Sequence, residues 1–143
     1  MQPSSILAPM FAMAALTFVV LALMPFVRFR ATLAGKVGPD DFKLGESARV
    51  PPDVALPNRN YMNLLEAPIL FYVVCLITYA TAAGDRAMVS LAWVYVGLRV
   101  THSIIHLTYN KVFHRLTVFG ASVVVLLAMW IYLFSRLYLS SGA

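Results

Sequence analysis

Most of the side chains in this chain that could do chemistry fall into two short series. Arg59, Asn63 and Glu66 are spaced by four and three residues, which places them on one face of a helix. Tyr95, Arg99, His102, His106 and Tyr109 follow at intervals of four, three, four and three, a continuous polar stripe. Arg30 and Asp41 precede the first series, and Arg115 follows the second. Guanidiniums, an amide, one carboxylate, imidazoles and tyrosines together suit a small zwitterionic or peptide-like anion. Arginine grips a carboxylate bidentately, and Glu66 can take an ammonium. If such a ligand carries a thiol, a guanidinium such as Arg115 lowers its pKa and favours the thiolate nucleophile. The competing structural reading pairs Glu66 with Arg99 or a histidine in a buried network that fixes helix register.

The elements that must position these residues follow from the solvent the chain is built for. Hydrophobic residues make up 61% of the 143 and charged residues 12%, against roughly 45–50% and 25% in soluble domains. One membrane crossing takes about 20 apolar residues, so the expected fold is all-α, a bundle of four transmembrane helices in one domain over residues 1–143. The spans are read at about 6–27, 64–83, 88–107 and 116–135, with an irregular loop at about 28–60 that holds four of the six acidic residues and prolines at 39, 51, 52 and 57. Pro68, early in the second span, is expected to tilt that helix and open the mouth of the pocket. Disorder is excluded by the apolar content, and the single cysteine, Cys75, excludes a disulfide framework. Mid-span, Cys75 reads as a small packing group. His114 reads as a solvated loop residue. Residues 1–5 carry no Lys or Arg, unlike a secretory signal, so the first span is expected to be retained.

The net charge of +5 is largely a matter of topology. Eight cations, those from Arg28 to Arg59 together with Lys111 and Arg115, fall on one side; Arg86 and Arg136 fall on the other, and Arg99 lies within a span. The positive-inside rule makes the long loop cytoplasmic and both termini non-cytoplasmic. An inner or plasma membrane is the default location, and the basic balance calls for no nucleic-acid partner.

With four spans and a basic first loop, Arg59-x3-Asn63-x2-Glu66 resembles the family of membrane-associated proteins in eicosanoid and glutathione metabolism, over essentially the whole chain. Arg99-Val-Thr-His102 is similar to the Arg-Val-Ala-His of its prostaglandin synthases, as is Gly38-Pro39-Asp40-Asp41 to their loop motif. The run Arg99-x2-His102-Ser103-x2-His106-x2-Tyr109-Asn110 looks like a bacterial branch. The resemblance implies a homotrimer in the lipid bilayer, in a bacterial inner membrane, with glutathione as cosubstrate held between subunits. It assigns Arg30, Arg59, Asn63, Glu66, Arg99 and His102 to the peptide, with His106 where relatives have a glutathione-contacting tyrosine. Arg115 is assigned to thiol activation and Asp41 to partnering that arginine. Leu116 and Phe119 stand where the prostaglandin synthases carry hydroxyls.

The leading expectation is therefore a glutathione-dependent transferase or peroxidase acting on a small lipophilic electrophile that arrives through the bilayer. A non-catalytic lipid-binding scaffold is the first alternative, favoured by the absent hydroxyls at 116 and 119. The second is a metal or haem protein, because His102 and His106 stand at i and i+4 and could ligate one ion with Glu66 facing them. Arg99, one turn away, opposes a cation there.

Overall fold

The computed structural model describes residues 3–139, and no β-strand occurs among them. After a 3-10 turn at Pro3–Ile6, α1 covers Leu7–Leu33; then come α2 (Pro52–Leu65), α3 (Ala67–Ala80), α4 (Arg86–Leu107) and α5 (Val112–Phe134), which runs into a π turn at Ser135–Leu139. Four stretches are long and apolar enough to cross a membrane: Ser4–Leu33, Pro52–Ala80, Arg86–Leu107 and Val112–Leu139. The shortest has 22 residues, about 33 Å at 1.5 Å per residue, which spans a hydrocarbon core of about 30 Å. The outward surface is apolar, with Phe18 69% and Leu116 62% exposed, as a lipid-facing surface must be. The chain is an integral multi-pass membrane protein with an all-α bundle fold.

The bundle interior is a single apolar cluster to which Met13 and Val20 of α1, Phe71 and Cys75 of α3, Tyr95 of α4 and Met129 of α5 all contribute. Tyr95 stacks on Phe71 with ring centroids 4.5 Å apart. α4 packs chiefly along α5, and α1 along α2. A smaller cluster of Ala31, Val37, Val50, Val54 and Ala55 pins the connecting loop between the ends of α1 and α2.

Four boundaries differ from the sequence expectation. The irregular loop is confined to residues 34–51, because α1 continues past Arg28 and Arg30 to Leu33 and α2 already begins at Pro52. Long arginine stems carry their charge outward while the backbone stays helical, and proline is at home in a first helical turn. The second span is not one helix. It breaks at Glu66 (φ −87°, ψ −95°), since Pro68 has no N–H for the Leu64 carbonyl and its ring would clash with it. Pro68 therefore stands in the first turn of α3, directly after a sharp break. At the far end, α5 starts at Val112, so Arg115 is helical.

At the opposite end of the bundle Asp85 joins α4 to α5. Its carboxylate caps α4 by accepting from the Met88 N–H at 2.9 Å, accepts the Tyr132 hydroxyl, and lies 3.8 Å from the Arg136 guanidinium. The Met88 N–H first, then the Tyr132 hydroxyl, hold this carboxyl below the ordinary carboxylate range. A folded-state pKa below the unfolded value of about 3.9 means the contribution is full above that pH and is lost as pH falls through the folded value. Asp85→Ala should cost about 1 kcal/mol at neutral pH, and melting curves of parent and variant in detergent should converge as the pH is lowered below about 4. Parallel curves down to the acid limit would remove the ionised carboxylate from this account.

Candidate functional site

The polar stripe of α4 faces inward. Tyr95, Arg99, His102, Ser103 and His106 are all buried, and only Tyr109, at the helix end, is exposed. Such residues inside a bilayer are costly and turn toward the bundle interior. Arg99 is fully buried, with one Nη donating to the Asn63 carbonyl at 2.5 Å. That carbonyl is available because of the break at Glu66: in an unbroken helix it would accept from the Ala67 N–H. The guanidinium also lies over the Phe119 ring, 5.4 Å from its centroid, a favourable cation–π arrangement. Its Nε and other Nη are buried without a protein partner, as are Nδ1 of His102 and Nδ1 of His106.

α2 presents a different face from the one its spacing suggested. Asn60 and Leu64 are buried, Asn63 is half-buried, and Arg59 and Glu66 are exposed. The intervals of four and three hold, but the helix is turned so that Asn60 points inward, where its Oδ1 accepts from the Ser103 hydroxyl at 3.3 Å. Asn60 and Ser103 tie α2 to α4 between the levels of His102 and His106; Ser103 stood in the sequence motif without a role, and Asn60 was not singled out. A buried asparagine next to an exposed arginine carries no signal of its own until the helix phase is known.

Arg115 completes the group from α5. It lines a cavity of about 190 Å³ with Asn63, His102, Val112, Leu116 and Phe119, and its Nη1 donates to Asn110 Oδ1 at 2.8 Å. Phe119 stands between this cavity and Arg99, with its ring also 5.7 Å from that of His102. No acidic residue occupies the first turn of α5. A cation near a helix N-terminus opposes the helix dipole, so Arg115 is placed against local helix energetics. Arg59, Arg99 and Arg115 make no ion pair among the described residues.

The structure thus gathers Asn63, Arg99, His102, His106 and Arg115 at one end of the bundle. Arg30 stands apart, at the end of α1, where it lines a second cavity of about 340 Å³ with Lys36 and Asp53. Asp41 organises the loop: it accepts from the Gly38 N–H at 2.9 Å and the Ser47 hydroxyl at 2.7 Å, and lies 3.4 Å from Arg49. Those contacts, the Gly38 N–H foremost, draw its pKa down. Within one chain these contacts of Asp41 do not include Arg115. The rings of His102 and His106 are 5.8 Å apart, and among the described residues no three His, Cys, Asp or Glu side chains come together as a metal would need. His114 meets the Tyr109 hydroxyl at 3.2 Å on the exposed turn.

The profile of the MAPEG family matches residues 6–135. No curated protein and no solved structure matches the chain.

Arg99→Met removes the donor that satisfies the Asn63 carbonyl, and leaving that acceptor unpaired inside the bundle should cost about 1–3 kcal/mol. Thermal melts of the detergent-solubilised parent and variant measure this, and an unchanged melting temperature would remove the hydrogen bond from this account.

Proposed function

The chain belongs to the MAPEG family, and on that premise we propose that it is a glutathione-dependent transferase or peroxidase acting on a lipophilic electrophile at the membrane. The observation that carries this reading is the placement of Arg115, set in the first turns of α5 without a counter-charge, on a largely apolar cavity that Asn63 and His102 also line, with Arg99, buried and without an ion-pair partner, on the other side of Phe119. Both guanidiniums call for an anion. Arg99, Asn63, His102 and His106 are suited to the peptide, and Arg115 to the thiolate. Stabilising thiolate over thiol by one pKa unit takes about 1.4 kcal/mol, within the reach of one well-placed guanidinium. The thiol proton leaves to solvent, and the sulfur then forms its bond to an electrophilic carbon or a peroxide oxygen as the leaving group departs. Exposed Val112 and Leu116, which line the cavity, offer an apolar approach from the bilayer.

A homotrimer belongs to the same reading. The cavity of about 190 Å³ is below the roughly 300–1,000 Å³ of small-molecule sites, while Arg30, Arg59, Glu66 and Asp41 lie outside it. A neighbouring subunit's copies of these residues would enlarge and complete the site. By the distribution of cations this end of the bundle is cytoplasmic and the termini are on the other side; the assignment to a bacterial inner membrane rests instead on the resemblance of the α4 motif to a bacterial branch of the family. A second reading, a lipid-binding scaffold without turnover, is favoured by exposed Leu116 next to Arg115 in place of a hydroxyl. Lipid that co-purifies with a protein inactive on model electrophiles would select it.

Adding glutathione to the purified protein should produce thiolate absorbance in the ultraviolet, and Arg115→Ala should reduce the thiolate fraction about tenfold, the equivalent of one pKa unit. A flat spectrum at saturating glutathione would sink the catalytic reading. Native mass spectrometry of the same sample should give a trimer carrying glutathione. A monomer with no bound peptide would overturn both the assembly and the ligand.

A further inference from the structure

The turn between α4 and α5 contains a brace that the catalytic reading does not use. Asn110 has φ +45°, in the left-handed region that asparagine tolerates better than most residues. Its N–H donates to the Ile105 carbonyl at 2.8 Å, which fastens the turn to the last turn of α4. Its side-chain Oδ1 accepts from Arg115 Nη1 at 2.8 Å, while the Arg115 N–H donates to the Lys111 carbonyl at 3.0 Å as α5 begins. Asn110 is thus anchored to one helix by its backbone and to the other by its amide. Among the described residues it is the only hydrogen-bond partner of the Arg115 guanidinium.

Arginine brings five N–H donors on a flexible stem. In the first turns of α5 the helix dipole and Lys111, one turn earlier, both disfavour a cation, and the half-buried side chain has no ion-pair partner among the described residues to fix its direction. We propose that Asn110 is a positioning residue that holds the Arg115 guanidinium against the cavity lined by Asn63, His102 and Phe119. One N–H is consumed in the brace, and the remaining donors stay available to the ligand. The choice of a neutral acceptor matters: an amide oxygen directs the guanidinium without cancelling its charge, whereas a carboxylate would form an ion pair and weaken the field at the ligand. This inference rests on the reading of the site as one that activates glutathione.

Two variants separate aim from charge. Asn110→Gly keeps the positive φ accessible and removes the acceptor; Asn110→Asp keeps the acceptor and adds a negative charge. With glutathione bound, the thiol pKa, read from thiolate absorbance against pH, should rise by about one unit in both variants, a tenfold smaller thiolate fraction below that pKa. The affinity for glutathione should change less than twofold, so that kcat falls while KM is retained. Modification of Arg115 by phenylglyoxal, read on its own peptide by mass spectrometry, should be faster than in the parent for Asn110→Gly and slower or unchanged for Asn110→Asp. A parental thiol pKa in Asn110→Gly would overturn the proposal. Should the parent itself form no thiolate, the activating role of Arg115 fails, and equal phenylglyoxal rates in parent and Asn110→Gly would then overturn the brace as well.

Discussion

A cation with nowhere to go in an apolar medium organises this bundle. Arg99 is fully buried within a membrane-spanning helix, where insertion scales put the cost of arginine at about 2.5–3.5 kcal/mol. What makes it tolerable is a backbone defect in a neighbouring helix. The break at Glu66 leaves the Asn63 carbonyl without its helical donor, and Arg99 takes that place at 2.5 Å. An unsatisfied carbonyl and an unpaired guanidinium, each unfavourable alone, offset one another. The remaining donors of Arg99 and the free ring nitrogens of His102 and His106 then stay buried and unpartnered at one end of the bundle.

The same proline that breaks the second span therefore shapes the site. Pro68 cannot extend the helix from α2, yet it fits the first turn of α3, so one residue ends one element and begins the next. The two halves still cross the membrane as a unit of 29 residues. α2 is fastened to α4 by Asn60 with Ser103 and by Asn63 with Arg99. α5 is fastened to α4 at both ends, by Asp85 with Tyr132 on one side and by Asn110 with Arg115 on the other. Polar contacts of this kind carry geometric information in a lipid environment, where apolar packing alone discriminates poorly between helix positions.

Much of this architecture was legible in the residues. Four apolar runs, the loop rich in acid and proline, and the inward stripe from Arg99 to His106 all have counterparts in the fold. The length of α1 was less legible, because arginines at 28 and 30 look like a boundary while their stems allow the helix to continue. The α2 series has the period its spacing gave, but within one chain its phase differs from the expected one. Asn60, rather than Arg59 or Glu66, enters the interior. Successive helical residues differ in direction by about 100°, so a shift of one position changes which side chain meets a neighbour. The gathering of Asn63, His102 and Arg115 around one cavity joins residues from three helices, and no interval within any one of them encodes it.

What the sequence determined by itself was the solvent and the number of crossings, because both depend on composition and run length, which are additive along the chain. The same holds for the periodic stripe on α4, since 3.6-residue spacing is a local property of the backbone. Only the tertiary structure decided which of the charged residues come near one another. Arg99 lies over the Phe119 ring, and Phe119 in turn lines the cavity that Arg115 lines, while Arg30 and Asp41 are held elsewhere. That outcome depends on the rotation of each helix about its own axis, and the rotation is set by packing against neighbours and by a carbonyl freed at Glu66, both of which exist only once the helices are assembled.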